Sequence, residues 1–184
     1  MKRAIIIHCW EGYPEYCWYP QVKNDLEELG FKVEVPTMPE TQRPQLGLWL
    51  SKLKEVVGEA DDELYLIGHS SGVITILRYL EGLSENQKIG GVVMVAGFID
   101  DLGYMDSVED KTVLPSFFQT SIDWDKIKSK VGKFIAIHSD NDPYVQLKHA
   151  EVFKDKLGAE IIIKPGMKHF SGEVDDEASC TELS

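Results

Sequence analysis

The chain of 184 residues predicts a three-layer α/β fold built on a doubly wound parallel sheet of about six strands. Three observations carry that expectation. Short apolar runs of strand length recur along the chain, several without polar alternation, as strands covered on both faces require. Segments with apolar residues at helical spacing separate them. Glycine and proline stand at the joints, notably Gly30, Pro36 and Gly158.

Residues 3–8, Arg-Ala-Ile-Ile-Ile-His, form the first such run. An aromatic loop follows, and residues 19–29 then place Val22, Leu26 and Leu29 on one face of a helix that Gly30 closes. Residues 31–35 read as a second strand, ended by Pro36, Pro39 and Pro44. Leu46, Leu50, Leu53 and Val57 share one face of a second helix. The third strand, from Leu64 to Ile67, turns through Gly68-His-Ser-Ser-Gly72 into a helix bearing Val73, Ile76, Leu77 and Leu80. Residues 91–96 are a fourth strand. Residues 97–121 lack periodicity and are too long for a plain connection, so a short lid-like insertion is expected there, with no large cap domain. A helix begins near Trp124 behind an Asp cap, and residues 133–138 form a fifth strand. Residues 146–157 read as a helix closed by Gly158, and residues 159–164 as the sixth strand. A loop over residues 165–170 and an acidic C-terminal helix or tail over residues 172–184 complete a single domain, residues 1–184.

Composition narrows the function classes. The formal charge is -12, which disfavours nucleic acid or an anionic membrane as partner. Much of the excess lies in Glu173, Asp175, Asp176, Glu177 and Glu182, after Lys168, beyond which there is no Lys or Arg. No apolar run is long enough to span a bilayer, and Met1-Lys-Arg leads directly into a strand without the apolar region of a signal peptide. Three scattered cysteines, Cys9, Cys17 and Cys180, suit a reducing cytoplasm. Nucleotide-binding glycine motifs, C-x-x-C and paired metal-ligand spacings are absent, so neither metal nor cofactor is expected. A cytoplasmic monomer or small homo-oligomer is the expectation.

The strand, G-x-S-x-G and helix around Ser70 form a nucleophile elbow, in which a sharp turn presents the serine hydroxyl at the carboxyl end of a strand. A serine attacks a carbonyl only when a base accepts its proton and an acid fixes that base. In chain order the base should come last. His169, in the loop after the sixth strand, is so placed, whereas His149 falls inside a helix. The acid should follow the fifth strand, where the sequence resembles the common hydrolase pattern of Asp followed three positions later by Val, which selects Asp142, while Asp140 reads as an Asx-turn former. Asp100 and Asp101 are the alternative acids. Backbone N–H groups should stabilise the oxyanion: Ser71, after the nucleophile, with Cys9 or Trp10 from the first loop. Trp10, Tyr13, Phe117 and Phe118 are candidates for an aromatic acyl pocket that opens to solvent.

At these positions the chain resembles the small serine hydrolases typified by YdeN and retinoblastoma-binding protein nine. The resemblance rests on the early strand with Trp18-Tyr19-Pro20 at the helix entry, Gly68-His-Ser-Ser-Gly72, Ser139-Asp-Asn-Asp-Pro143 and Lys168-His-Phe170. It implies a compact α/β-hydrolase fold and a triad of Ser70, Asp142 and His169. Two departures stand out: Cys9-Trp-Glu11 replaces a glycine-rich start to the first loop, and Met167-Lys168 precedes the base where glycine is common. The expected reaction is cleavage of small acyl esters or thioesters through an acyl-enzyme. The rival reading is a hydrolase fold kept as a protein-binding module, since fold alone does not dictate activity.

Overall fold

Six strands pair in the order β2-β1-β3-β4-β5-β6, and every pairing is parallel. They are Arg3–Ile7 (β1), Lys32–Glu34 (β2), Leu64–His69 (β3), Ile89–Val95 (β4), Val131–Ser139 (β5) and Glu160–Lys164 (β6). The helices are Tyr19–Glu28 (α1), Leu46–Val57 (α2), Ser71–Glu81 (α3), Trp124–Ser129 (α4) and Lys148–Leu157 (α5). The computed structural model describes residues 1–100, 114–175 and 178–183. The fold is the doubly wound parallel sheet expected from the alternation, in the α/β-hydrolase form that the resemblance implies, and each parallel strand is reached by a crossover.

Alternation along each strand divides the apolar residues between two cores. Ile5 and Ile7 of β1 face α2 and α3, together with Trp49, Leu53, Val73 and Leu77. Ala4 and Ile6 face the opposite side, with Tyr19 of α1, Ile67, Val95, Ile137 and Phe170. This double cover explains the unbroken apolar run at the start of the chain. Helix α3 lies deepest: every residue from Ser71 to Leu80 is buried. Its buried Arg78 donates to the carbonyls of Phe117 and Thr120 and bonds Glu81, so a charge in the core is fully partnered.

The expected caps form. Asp123 accepts from Lys126 N–H at 3.0 Å at the start of α4. Gly158 takes the left-handed conformation that ends α5, which opens at Lys148 rather than at residue 146. The terminal helix does not form over the described residues. One 3-10 turn covers Glu173–Asp175, and residues 178–183 are irregular chain in which Cys180 and Leu183 pack on the α1 side of the sheet. Acidic residues at successive positions leave no apolar helical face to bury there. Residues 101–113, which hold most of the expected lid-like insertion and Asp101, lie outside the described residues, as do Asp176 and Glu177.

Candidate active site

β3 ends at His69 and α3 begins at Ser71, so the chain reverses at Ser70 alone. Its φ of 53° is left-handed, an unfavourable state for a residue with a Cβ. The surroundings hold it there: Ser70 N–H donates to Val95 O at 2.9 Å, and Val73 N–H donates to Ser70 O at 2.9 Å. The flanking glycines are required by contact. A Cβ on Gly72 would lie 2.3 Å from Ile7 O, and one on Gly68 would lie 2.8 Å from Val73 N. α3 therefore packs directly onto the end of β1, which brings the first loop beside the serine.

Three side chains from three separate loops meet in a row. His169 Nε2 stands 3.0 Å from Ser70 Oγ, and its Nδ1 stands 2.9 Å from Asp142 Oδ2. A carboxylate only accepts, so Nδ1 carries the proton and Nε2 accepts from the Ser70 hydroxyl. That tautomer lets the imidazole take the serine proton. The Asp142 side chain is 1% exposed, and its second oxygen accepts from Tyr144 and Val145 N–H at 2.8 and 2.9 Å. Both oxygens are thus oriented by the chain itself.

The acid loop also grips the base loop. Ser139 Oγ, Asp140 Oδ1 and Asn141 Oδ1 accept from Met167, Gly166 and Lys168 N–H at 2.9, 2.8 and 2.8 Å. Asp140 is therefore no Asx-turn former: its carboxylate reaches across to the other loop because Gly166 N–H is aimed at it. Lys168 and Phe170 on either side of the base have positive φ, and these bonds fix that shape without the expected glycine. Asp100 stands 3.7 Å from His149, away from the row.

The first loop sorts the candidate oxyanion donors. Cys9 N–H donates to Tyr19 Oη at 3.1 Å, Glu11 N–H to Thr41 O at 3.0 Å and Gly12 N–H to Cys9 O at 3.1 Å. Cys9 is thereby removed as a donor, because its amide is already bonded. Trp10 N–H and Ser71 N–H have no partner among the described residues. His8 fixes this loop from beneath, accepting from Met38 N–H and donating to Cys9 O at 2.8 Å. Of the expected pocket residues, Phe117 is fully buried with its ring edge against Trp49, so it fills the core instead of lining a surface. Phe118 packs on Phe98, Trp10 Nε1 donates to Gln42 O, and Tyr13 Oη bonds Glu173 at 2.8 Å. Tyr144, not anticipated, sets its ring edge-on to His169 at 5.2 Å. Its only signal was an aromatic residue directly after Asp142-Pro143. Burial pushes the Cys9 thiol up to about 12, which leaves it unreactive at neutral pH.

Burial also holds His69 down at about 3 and His138 at about 4. In the unfolded chain both would bind protons near pH 6.5. Between that pH and their folded values the unfolded state binds more protons, so stability is present above pH 6.5 and is lost as pH falls. The slope should be about 1.4 kcal/mol per pH unit for each group. The urea midpoint should drop between about pH 7.5 and about pH 5, and less steeply in His138→Gln. An identical slope in that variant would remove His138 from the account.

No three His, Cys, Asp or Glu side chains among the described residues are arranged to hold a metal ion, and no described helix is long and apolar enough to cross a membrane. The family described as serine hydrolase matches residues 4–176. The chain is 28% identical over 160 residues to YdeN of Bacillus subtilis, covering 87% of this chain and 81% of that protein. It is 27% identical over 154 residues to the serine hydrolase RBBP9 of Rattus norvegicus, covering 83% and 77%. The crystal structure of the B. subtilis ydeN gene product superposes with a TM-score of 0.87 at 27% identity, over 100% of this chain and 93% of that one.

Proposed function

The chain belongs to the serine hydrolase family, and from that premise we propose that it is a carboxylesterase cleaving small acyl esters or thioesters through an acyl-enzyme on Ser70. One observation carries the reading: the unbroken row Asp142–His169–Ser70, at 2.9 and 3.0 Å, with the imidazole in the tautomer that accepts the serine proton. Ser70 Oγ attacks the carbonyl carbon, and its proton passes to His169 Nε2. Asp142 holds the resulting imidazolium. The tetrahedral oxyanion is met by the N–H groups of Ser71 and Trp10. Its collapse releases the alcohol or thiol with the proton from His169, and water repeats the sequence to free the acid. No metal or cofactor takes part in these steps.

The partly exposed Trp10 and Tyr144 flank the first loop and the base, which supports an open site for short acyl groups. Cys9, Cys17 and Cys180 form no disulfide, which supports a reducing, cytoplasmic setting, with a small-molecule ester as partner and a monomer or small homo-oligomer as the working form. A panel of p-nitrophenyl esters tests the assignment. Turnover should be highest for acetate to butyrate and fall by at least about tenfold for long chains, since an open site buries little of a long tail. Preference for a long acyl chain would overturn the small-ester reading.

A further inference from the structure

His69, within the elbow pentapeptide, is fully buried and has both ring nitrogens bonded. Nε2 lies 2.8 Å from the backbone oxygen of His169, and Nδ1 lies 2.8 Å from Tyr19 Oη. A carbonyl can only accept, so Nε2 donates and Nδ1 accepts from the Tyr19 hydroxyl. Tyr19 Oη accepts in turn from Cys9 N–H at 3.1 Å. One directed row therefore runs from the Cys9 amide through Tyr19 and His69 to the carbonyl of His169. One end is adjacent in sequence to the Trp10 amide, and the other is the backbone oxygen of His169, the residue whose side chain faces Ser70. Trp18 packs on both members, 4.7 Å from Tyr19 and 5.6 Å from His69 between ring centres, so the row sits in a dry, close-packed wall. An imidazolium would have no acceptor for the Tyr19 hydroxyl, and burial keeps His69 neutral at working pH.

We propose that Tyr19 and His69 are positioning residues, which register the first-loop amide against the His169 imidazole so that both meet one carbonyl group of the substrate. Neither touches the reacting atoms. The inference rests on the hydrolase reading above and adds a reason for the Trp18-Tyr19-Pro20 sequence, which that reading leaves unused. Displacement of a reacting group by about 1 Å costs roughly a hundredfold in rate, so loss of the row should appear in kcat.

A mutant cycle of Tyr19→Phe, His69→Phe and the double variant tests this, with His69→Gln as the conservative change. Ester hydrolysis, fluorophosphonate labelling rate and thermal unfolding are measured on each. Each phenylalanine variant should lower kcat about 30- to 100-fold with KM within about threefold, and the double variant should match the worse single, because the row is broken only once. His69→Gln, whose amide can donate to His169 O and accept from Tyr19, should recover at least about tenfold over His69→Phe. Phenylalanine better tolerated than glutamine at this position, or single effects that multiply in the double, would mean that the ring only fills space, and the proposal fails. If His69→Phe does not fold, Tyr19→Phe, which loses one oxygen, decides alone by its kcat. A native protein that neither hydrolyses esters nor labels would sink the hydrolase reading. Normal native activity with unaffected variants would sink this inference only.

Discussion

Replacing Ser70 with alanine is expected to lower ester turnover by roughly four to six orders of magnitude while leaving the fold intact. The fold should survive because the left-handed conformation at this position is held by backbone bonds to Val95 and Val73, and alanine strains it no more than serine does. The hydroxyl bonds His169 alone among the described residues, so its removal leaves one imidazole nitrogen at an 8% exposed position, where water can reach it. Turnover should collapse because the neighbouring candidates cannot substitute. Ser71 Oγ is buried with no partner, and the Cys9 thiol is held protonated. Intact mass after fluorophosphonate treatment should show a single adduct on the native chain and none on the variant. Near-native turnover by the alanine variant would falsify the nucleophile assignment. An unlabelled native protein that is folded would favour the binding-module reading, since a closed or unformed oxyanion site leaves the serine inert.

The parts of this site that were legible in sequence are those in which chemistry and backbone geometry demand the same residue. Gly68 and Gly72 were readable because a Cβ at either would collide with backbone, and Ser70 because only a sharp turn exposes it. Asp142 and His169 were readable from their order after successive strands. The clamp between Ser139-Asp-Asn141 and residues 166–168 was not, because its acceptors are side chains and its donors are featureless amides. A polar run beside a loop gives no hint of which loop it will hold. Phe117 was misassigned for a related reason: an aromatic residue in an aperiodic segment does not declare whether it faces solvent, and Trp49 claimed it for the core. Among strands, β2 is the shortest, covering Lys32–Glu34 of the expected residues 31–35, and only Val33 of its three residues is buried.

The two departures from the resembling family are resolved by the same physical logic. A glycine in the first loop allows an amide to turn toward a substrate. Here Glu11, at φ 58°, makes the turn, and bonds to Thr41, Tyr19 and Cys9 absorb every other amide from Cys9 to Gly12. What remains is the Trp10 N–H. In the base loop, side-chain acceptors take over the conformational role that a glycine before the base would serve. Conformational freedom has been replaced by hydrogen bonds, which costs sequence simplicity but keeps the donors preorganised.

Asp142→Asn is expected to lower kcat about ten thousandfold, whereas Asp140→Asn should stay within about threefold of the native rate. The difference follows from which oxygen each loop has already claimed. At Asp142, the N–H groups of Tyr144 and Val145 both point at Oδ1, so an asparagine must place its own oxygen there. Its amide NH2 then occupies the Oδ2 position, 2.9 Å from His169 Nδ1, and donates to it. Nδ1 becomes an acceptor, the proton moves to Nε2, and the imidazole can no longer take the proton of Ser70. At Asp140 the requirement is one acceptor for Gly166 N–H, which an asparagine oxygen supplies equally well. Steady-state kinetics on both variants, with unfolding midpoints to show that each is folded, separate the two carboxylates. A larger loss at Asp140 than at Asp142 would transfer the role of acid to Asp140. In that case the 2.9 Å bond between Asp142 and His169 would be a structural tie alone.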